Sequence, residues 1–203
     1  MINSLDSLFH SLVYVVPSFL IALTVHEFSH ALMATLLGDE TAKKRGRLSL
    51  NPFVHIDLLG LLFLLTVRVG WAKPVPFDHR NFRYPRLYAV LTACAGPLSN
   101  IIVAFICLTL VHHLSPTSSA EYFFSMVAYI NTMLGVFNVV PIPPLDGGHF
   151  VDALIGPYAP ELIRWLQRYG IVLIIILFYT PSIKQAFSQC VLAVFNTLAA
   201  YAW

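Results

Sequence analysis

Long uncharged apolar runs alternate with shorter polar connections along this chain. A helix that crosses a bilayer needs about 20 predominantly apolar residues. Five stretches meet or approach that length: 8–37, 87–111, 122–140, 162–183 and 185–203. In the first, Glu27 is the only full charge, Pro17 predicts a bend and Gly38 predicts the end. Pro141, Pro143 and Pro144 stop the third near Val140, because proline has no N–H to continue a helix. The fourth reaches spanning length only when Tyr169–Ile183 is extended backwards through Glu161–Arg168. The pattern predicts an all-α polytopic membrane fold of about five transmembrane helices, as one domain over residues 1–203. No internal repeat or low-complexity linker interrupts it.

Residues 39–86 depart from this pattern. They carry Lys43, Lys44, Arg45, Arg47, Arg68, Lys73, Arg80, Arg83 and Arg86, and their apolar part, Ile56–Val67, has only 12 residues. Residues 46–54 and 69–77 alternate or carry proline in the manner of short edge strands. Charge decides whether the apolar part crosses or re-enters. If it re-enters, 11 of the 12 Lys and Arg residues share one face, with Lys184 opposite; if it crosses, they divide 5 against 7. Positive residues concentrate on the cytoplasmic side. Region 39–86 is therefore expected to be a small membrane-associated re-entrant β/loop segment, with an external N-terminus.

Composition agrees with a lipid-exposed surface. Of the 203 residues, 58% are hydrophobic and 11% charged, with mean hydropathy +0.74, against roughly 25% charged in a soluble domain. The net charge of +2 and the absence of a basic run with interleaved aromatics exclude a nucleic-acid partner. The first residues lack the basic region of a signal peptide, so the first apolar run is expected to be retained. Cys94, Cys107 and Cys190 are odd in number and embedded in apolar sequence, as small buried hydrophobes are.

The chemistry sits inside the first apolar run. His26-Glu27-Phe28-Ser29-His30 matches H-E-x-x-H, whose histidines fall on one helix face at i and i+4 and can grip one ion. Glu27 lies on a neighbouring face, where it can take a proton from an attacking water. Ionisable residues within a membrane helix are costly and by default mark a functional site; two histidines bonded to neighbouring helices are the plainer alternative. His30 and His26 precede Leu37 by 7 and 11 residues, about 10–16 Å at 1.5 Å per residue. A catalytic zinc takes three protein ligands and leaves one position open. Asp146 is the leading candidate for the third, at the end of the stretch Asn138–Gly148, where prolines end a helix and two glycines permit a turn. It reaches the depth of His30 only if Ile56–Val67 re-enters. An N-cap for the following helix is its alternative role, and His149, His55 and Asp57 are competing ligands. His112 and His113 belong near the external end of the second helix; His10 and His79 have no recognisable context.

Together these motifs resemble the site-2 protease family of intramembrane zinc metalloproteases, in its small bacterial-type form. His26–His30 resembles the family's zinc-binding helix. Asn138–Gly147 resembles its N-x-x-P-x-P-x-L-D-G element, and Gly96-Pro97-Leu98-Ser99-Asn100 its G-P-x-x-N. Residues 46–56 and 71–77 resemble its membrane-associated strands, which could pair with an unwound substrate. The resemblance implies one Zn2+ held by His26, His30 and Asp146, with Glu27 as catalytic base. It implies a substrate contact for Asn138, for which an interhelical hydrogen bond is the alternative, and a packing role for Asn100 that orders the site. It further implies single-span membrane-protein substrates, cleaved in or near the bilayer, in a multi-pass cell-membrane protein whose active site faces the cytoplasm. The 112–121 connection leaves no room for a PDZ domain, and no CBS module is expected after Trp203. A metal transporter and a catalytically silent relative are the rival readings; paired halves of the transporter kind are absent from the sequence.

Overall fold

The computed structural model describes residues 11–67, 71–114 and 118–202. The expectations for residues 8–10, Arg68, 69–70, 115–117 and Trp203, and the position of His10, lie outside them. Seven helices organise the described chain: α1 (Val16–Leu36), α2 (Leu58–Val67), α3 (Pro85–His112), α4 (Ser119–Asn138), α5 (Gly147–Ile155), α6 (Pro160–Tyr179) and α7 (Pro181–Ala202). Short turns of helix at Thr41–Lys44, Pro52–Val54 and His79–Asn81 link them.

Local sequence accounts for the helix limits. Pro17 sits in the first turn of α1, where its missing N–H is harmless, and a π-helical turn (Ser11–Val15) precedes it instead of a kink within the helix. Gly38, at φ +103°, takes the left-handed conformation that ends α1. Ser118 caps α4 by accepting from the Glu121 N–H at 3.0 Å. Thr180-Pro181 separates α6 from α7, so the expected 162–183 and 185–203 runs meet at Pro181.

Among the described residues, three helical stretches are long and apolar enough to cross a membrane: Leu12–Leu36, Pro85–His112 and Pro160–Tyr179. α4 and α7 have the length but carry more polar side chains. Asn131 and Thr132 of α4 are buried inside the bundle, where polarity serves packing between helices. α3 is the central helix, packed against α1 on one side and α4 on the other. Small residues are buried along these helices: Ala22, Ala31 and Ala34 of α1, Ala93 and Ala104 of α3 and Ala128 of α4, with Ala31 packed against Ala42 and Val75. The bulky residues Ile21, Leu32, Ile102, Ile106, Ile171 and Ile175 face outward, as on a surface that meets lipid.

No sheet forms among the described residues, and the two strands expected at 46–54 and 69–77 reduce to one antiparallel bridge between Ile56 and Ala72. The physical reason lies in the same residues. Pro52 starts a 3-10 turn capped by the Asn51 side chain, and Pro74 and Pro76 have no N–H for a ladder. Arg47 instead donates across the gap to the Lys73 carbonyl. The bridge, with Lys73 N–H donating to the His55 carbonyl at 2.9 Å, brings the two ends of the α2 excursion together. α2 itself has 10 residues, about 15 Å of helix, half the thickness of a hydrocarbon core.

Candidate metal centre

His26 and His30 lie one turn apart on the buried face of α1, with their Nε2 atoms 3.0 Å from each other. Asp146 meets them from the start of α5, its Oδ2 3.1 Å from His26 Nε2 and 3.2 Å from His30 Nε2. The turn that delivers it is wound tightly enough to require glycine. A Cβ on Gly148 would come within 2.7 Å of Pro143 N, and one on Gly147 would overlap the Val139 carbonyl oxygen. Asp146 occupies the N-cap position of α5 but its side chain makes no cap hydrogen bond. It points at the histidines instead.

Both imidazoles are held from behind. His30 Nδ1 lies 2.7 Å from the Thr92 carbonyl oxygen, and His26 Nδ1 lies 2.7 Å from Asn100 Oδ1. A carbonyl oxygen can only accept, so in each ring Nδ1 carries the proton and Nε2 of the neutral imidazole presents a lone pair. Three lone-pair atoms then face one another, and Asp146 Oδ2 is buried without a hydrogen-bond donor. Such a cluster calls for a cation. A tetrahedral ion with ligands at 2.0–2.1 Å has ligand-to-ligand edges of about 3.3–3.4 Å, close to the observed triangle, so the residues fit zinc. Gly96 of α3 leaves room for the pair: a Cβ there would overlap His30 Nε2 and lie 2.6 Å from His26 Cε1.

Glu27 is buried beside the histidines, and its Oε2 accepts from the Val75 N–H at 3.0 Å. The strand-like segment therefore passes over the catalytic candidate as a strap. Its far end is tied to Asp39, at the end of α1, which accepts from Asp78 N–H and Asn81 Nδ2, both at 2.7 Å, and from Thr41. Burial opposes the charge of Asp39, but these hydrogen bonds outweigh it and hold the carboxyl below its usual range.

Asn138 donates through Nδ2 to the Leu134 carbonyl one turn earlier, at 3.0 Å, so its nitrogen is bound within α4. Its side chain lines a cavity of ≈ 650 Å³ between α3, α4, α5 and α7, walled mainly by Leu98, Ile101, Phe150 and Phe187, into which Asp146 also opens. The competing ligands are engaged elsewhere. His55 is fully buried, with Nε2 2.7 Å from the Ser49 carbonyl oxygen; Asp57 caps α2 through the Gly60 N–H; His149 packs against Phe77. His112 and His113 are exposed at the end of α3, and His79 sits on the turn beside Phe77. Thr92, Val75 and Asn131 carry no sequence signal for the contacts they make, two of which are backbone.

His26, His30 and Asp146 are thus placed where they could hold a metal ion, beside the buried Glu27 carboxylate. Comparison with known proteins agrees. The sequence profile of peptidase family M50 matches residues 112–177, which include Asn138 and Asp146 but not α1. YwhC of Bacillus subtilis, whose name assigns it to the zinc metalloproteases, is 40% identical over 177 residues, covering 83% of this chain and 81% of that one. Rip2 of Mycolicibacterium smegmatis, similarly named, is 26% identical over 186 residues, covering 88% and 71%. Rip2 of Mycobacterium tuberculosis H37Rv is 27% identical over 191 residues, covering 91% and 73%. No solved structure matches significantly. The chain belongs to peptidase family M50, the site-2 proteases, a family of zinc metalloproteases.

Proposed function

We propose that the protein is an intramembrane zinc metalloprotease that hydrolyses peptide bonds in or near the transmembrane segments of single-span membrane proteins. The observation that carries this is the convergence of His26 Nε2, His30 Nε2 and Asp146 Oδ2 within 3.0–3.2 Å of one another. These three residues would hold one Zn2+, which when bound would acidify a water and polarise the scissile carbonyl. Glu27 accepts the proton of the attacking water and delivers it to the leaving amine. Its carboxylate is oriented for this by the Val75 N–H. Asn138 contacts the substrate backbone through its amide, whose oxygen and second N–H are free of the bond to Leu134 within α4. The apolar cavity that Asp146 and Asn138 share takes the apolar side chains flanking the scissile bond.

In the bilayer, α1, α3, α4, α6 and α7 supply about five spans. The meeting of Ile56 with Ala72 supports a re-entrant reading of region 39–86, because an excursion that leaves and returns at one point need not cross. That arrangement, with the basic residues inside, puts the site toward the cytoplasm in a multi-pass cell-membrane protein. The test is Glu27→Gln in purified protein, assayed against a panel of single-span substrates. Zinc retained with cleavage abolished is expected. Cleavage at the wild-type rate would remove Glu27 from the mechanism.

A further inference from the structure

Two amides behind His26 carry an inference that rests on the reading of His26 as a zinc ligand. Asn100 and Asn131 are both fully buried, one on α3 and the other on α4. An asparagine amide can present either its oxygen or its NH2 to a neighbour. Here the choice decides which nitrogen of His26 carries the proton. With oxygen toward Nδ1, as found at 2.7 Å, the proton stays on Nδ1 and Nε2 has a free lone pair. With NH2 toward Nδ1, the proton moves to Nε2, where it would point at Asp146 and exclude a metal.

The amide of Asn100 is locked by its other end. Its Nδ2 donates to the Ala22 carbonyl at 3.0 Å and to Asn131 Oδ1 at 2.9 Å. Asn131 presents that oxygen because its own Nδ2 donates to the Val127 carbonyl at 2.8 Å. Turning Asn100 over would set its oxygen against two other oxygens in a buried site, where an unmatched polar contact is costly. We propose that Asn131 is a positioning residue: acting through Asn100, it fixes the tautomer of His26 that can bind zinc. The relay runs from α4 through α3 to α1, so the packing of three helices reads out as the protonation pattern of one ligand. Thr132, next in sequence and as deeply buried, donates to the Ala128 carbonyl at 2.9 Å and stands outside the relay. It provides the control.

The experiment is a zinc-affinity measurement on the purified full chain in detergent, by competition with a chromogenic chelator. Asn131→Leu is expected to weaken zinc binding about tenfold, at the lower end of what outer partners of a ligand contribute, and Thr132→Val to leave it unchanged. The decisive arm uses an Asn100→Asp background. A carboxylate offers an oxygen to His26 in either orientation, and its second oxygen meets only acceptors at Ala22 and Asn131, so Asn131→Leu should cause no further loss of zinc affinity there. An equal loss in both backgrounds assigns Asn131 to packing alone and overturns the relay, as does no loss in the first. Should Asn100→Asp fail to fold, 15N spectra of histidine-labelled, metal-free protein decide, with the His26 signal identified by its absence in His26→Ala. The Nδ1–H form is expected in wild type, and a shift toward Nε2–H in Asn131→Leu; an unshifted signal overturns the relay. A wild-type chain that binds no zinc overturns both the relay and the metal reading.

Discussion

Two carboxylates, Asp39 after the end of α1 and Asp146 at the start of α5, both have oxygens removed from bulk water, yet their surroundings differ in kind. Asp39 accepts hydrogen bonds from the backbone and side chain of Thr41, from the Asp78 N–H and from Asn81. Its acceptor capacity is filled by donors from three residues in two segments, so it acts as a clasp between the end of α1 and the strap. Asp146 Oδ2 faces two imidazole nitrogens whose protons are committed elsewhere, and no donor reaches it. A filled carboxylate holds structure together. One whose lone pairs converge with others is arranged for a cation. The contrast separates architecture from chemistry using hydrogen-bond partners alone.

Removing each carboxylate in turn should have opposite consequences. Asp146→Ala should reduce zinc affinity by more than the roughly 10–100-fold that outer partners of a ligand are worth, with the metal-free protein still folded. Asp39→Ala should do the reverse: zinc affinity within about twofold of wild type, and stability lower by about 1–3 kcal/mol for each buried donor left without a partner. Zinc titration beside thermal unfolding distinguishes the two.

Gly96→Ala is expected to have the next largest effect. The added methyl overlaps His30 Nε2, and about 1–3 kcal/mol of overpacking should weaken zinc binding roughly tenfold or more. Alanine otherwise favours helix over glycine, so α3 itself should not suffer. Wild-type zinc affinity in Gly96→Ala would show that the imidazoles have more freedom than the geometry gives them.

A smaller effect concerns pH. Because hydrogen bonds hold Asp39 below the ordinary carboxylate range, its contribution is fully present above the unfolded-state value near 3.9. It is lost as pH falls through the lower folded-state value. Wild type should therefore lose part of its stability lead over Asp39→Asn in acid, seen as converging Tm values. The smallest effect belongs to the exposed Arg80–Asp78 pair: Arg80→Ala should leave both Tm and zinc affinity unchanged, since surface ion pairs contribute little.

The difference between the two carboxylates was only partly legible in the sequence. His26 and His30 announce themselves because helical spacing fixes their shared face, and Asp146 because prolines and paired glycines force a turn at a definite place. The clasp at Asp39 could not be read, since two of its donors come from Asp78 and Asn81, some forty residues away in irregular backbone. Among the described residues, the strands expected at 46–54 and 69–77 did not form: alternation in side chains cannot supply the N–H groups that Pro52, Pro74 and Pro76 lack. The same segment still reaches the site, through the Val75 N–H, a group that every non-proline residue carries and no motif marks.

Whether His26, His30 and Asp146 bind zinc is decided by X-ray absorption at the zinc edge of the loaded protein. One zinc per chain is expected, with two imidazole nitrogens and carboxylate oxygen at about 2.0–2.2 Å, and the imidazole signal diminished in His30→Ala. A zinc shell without two imidazoles, or one indifferent to His30→Ala, would contradict it.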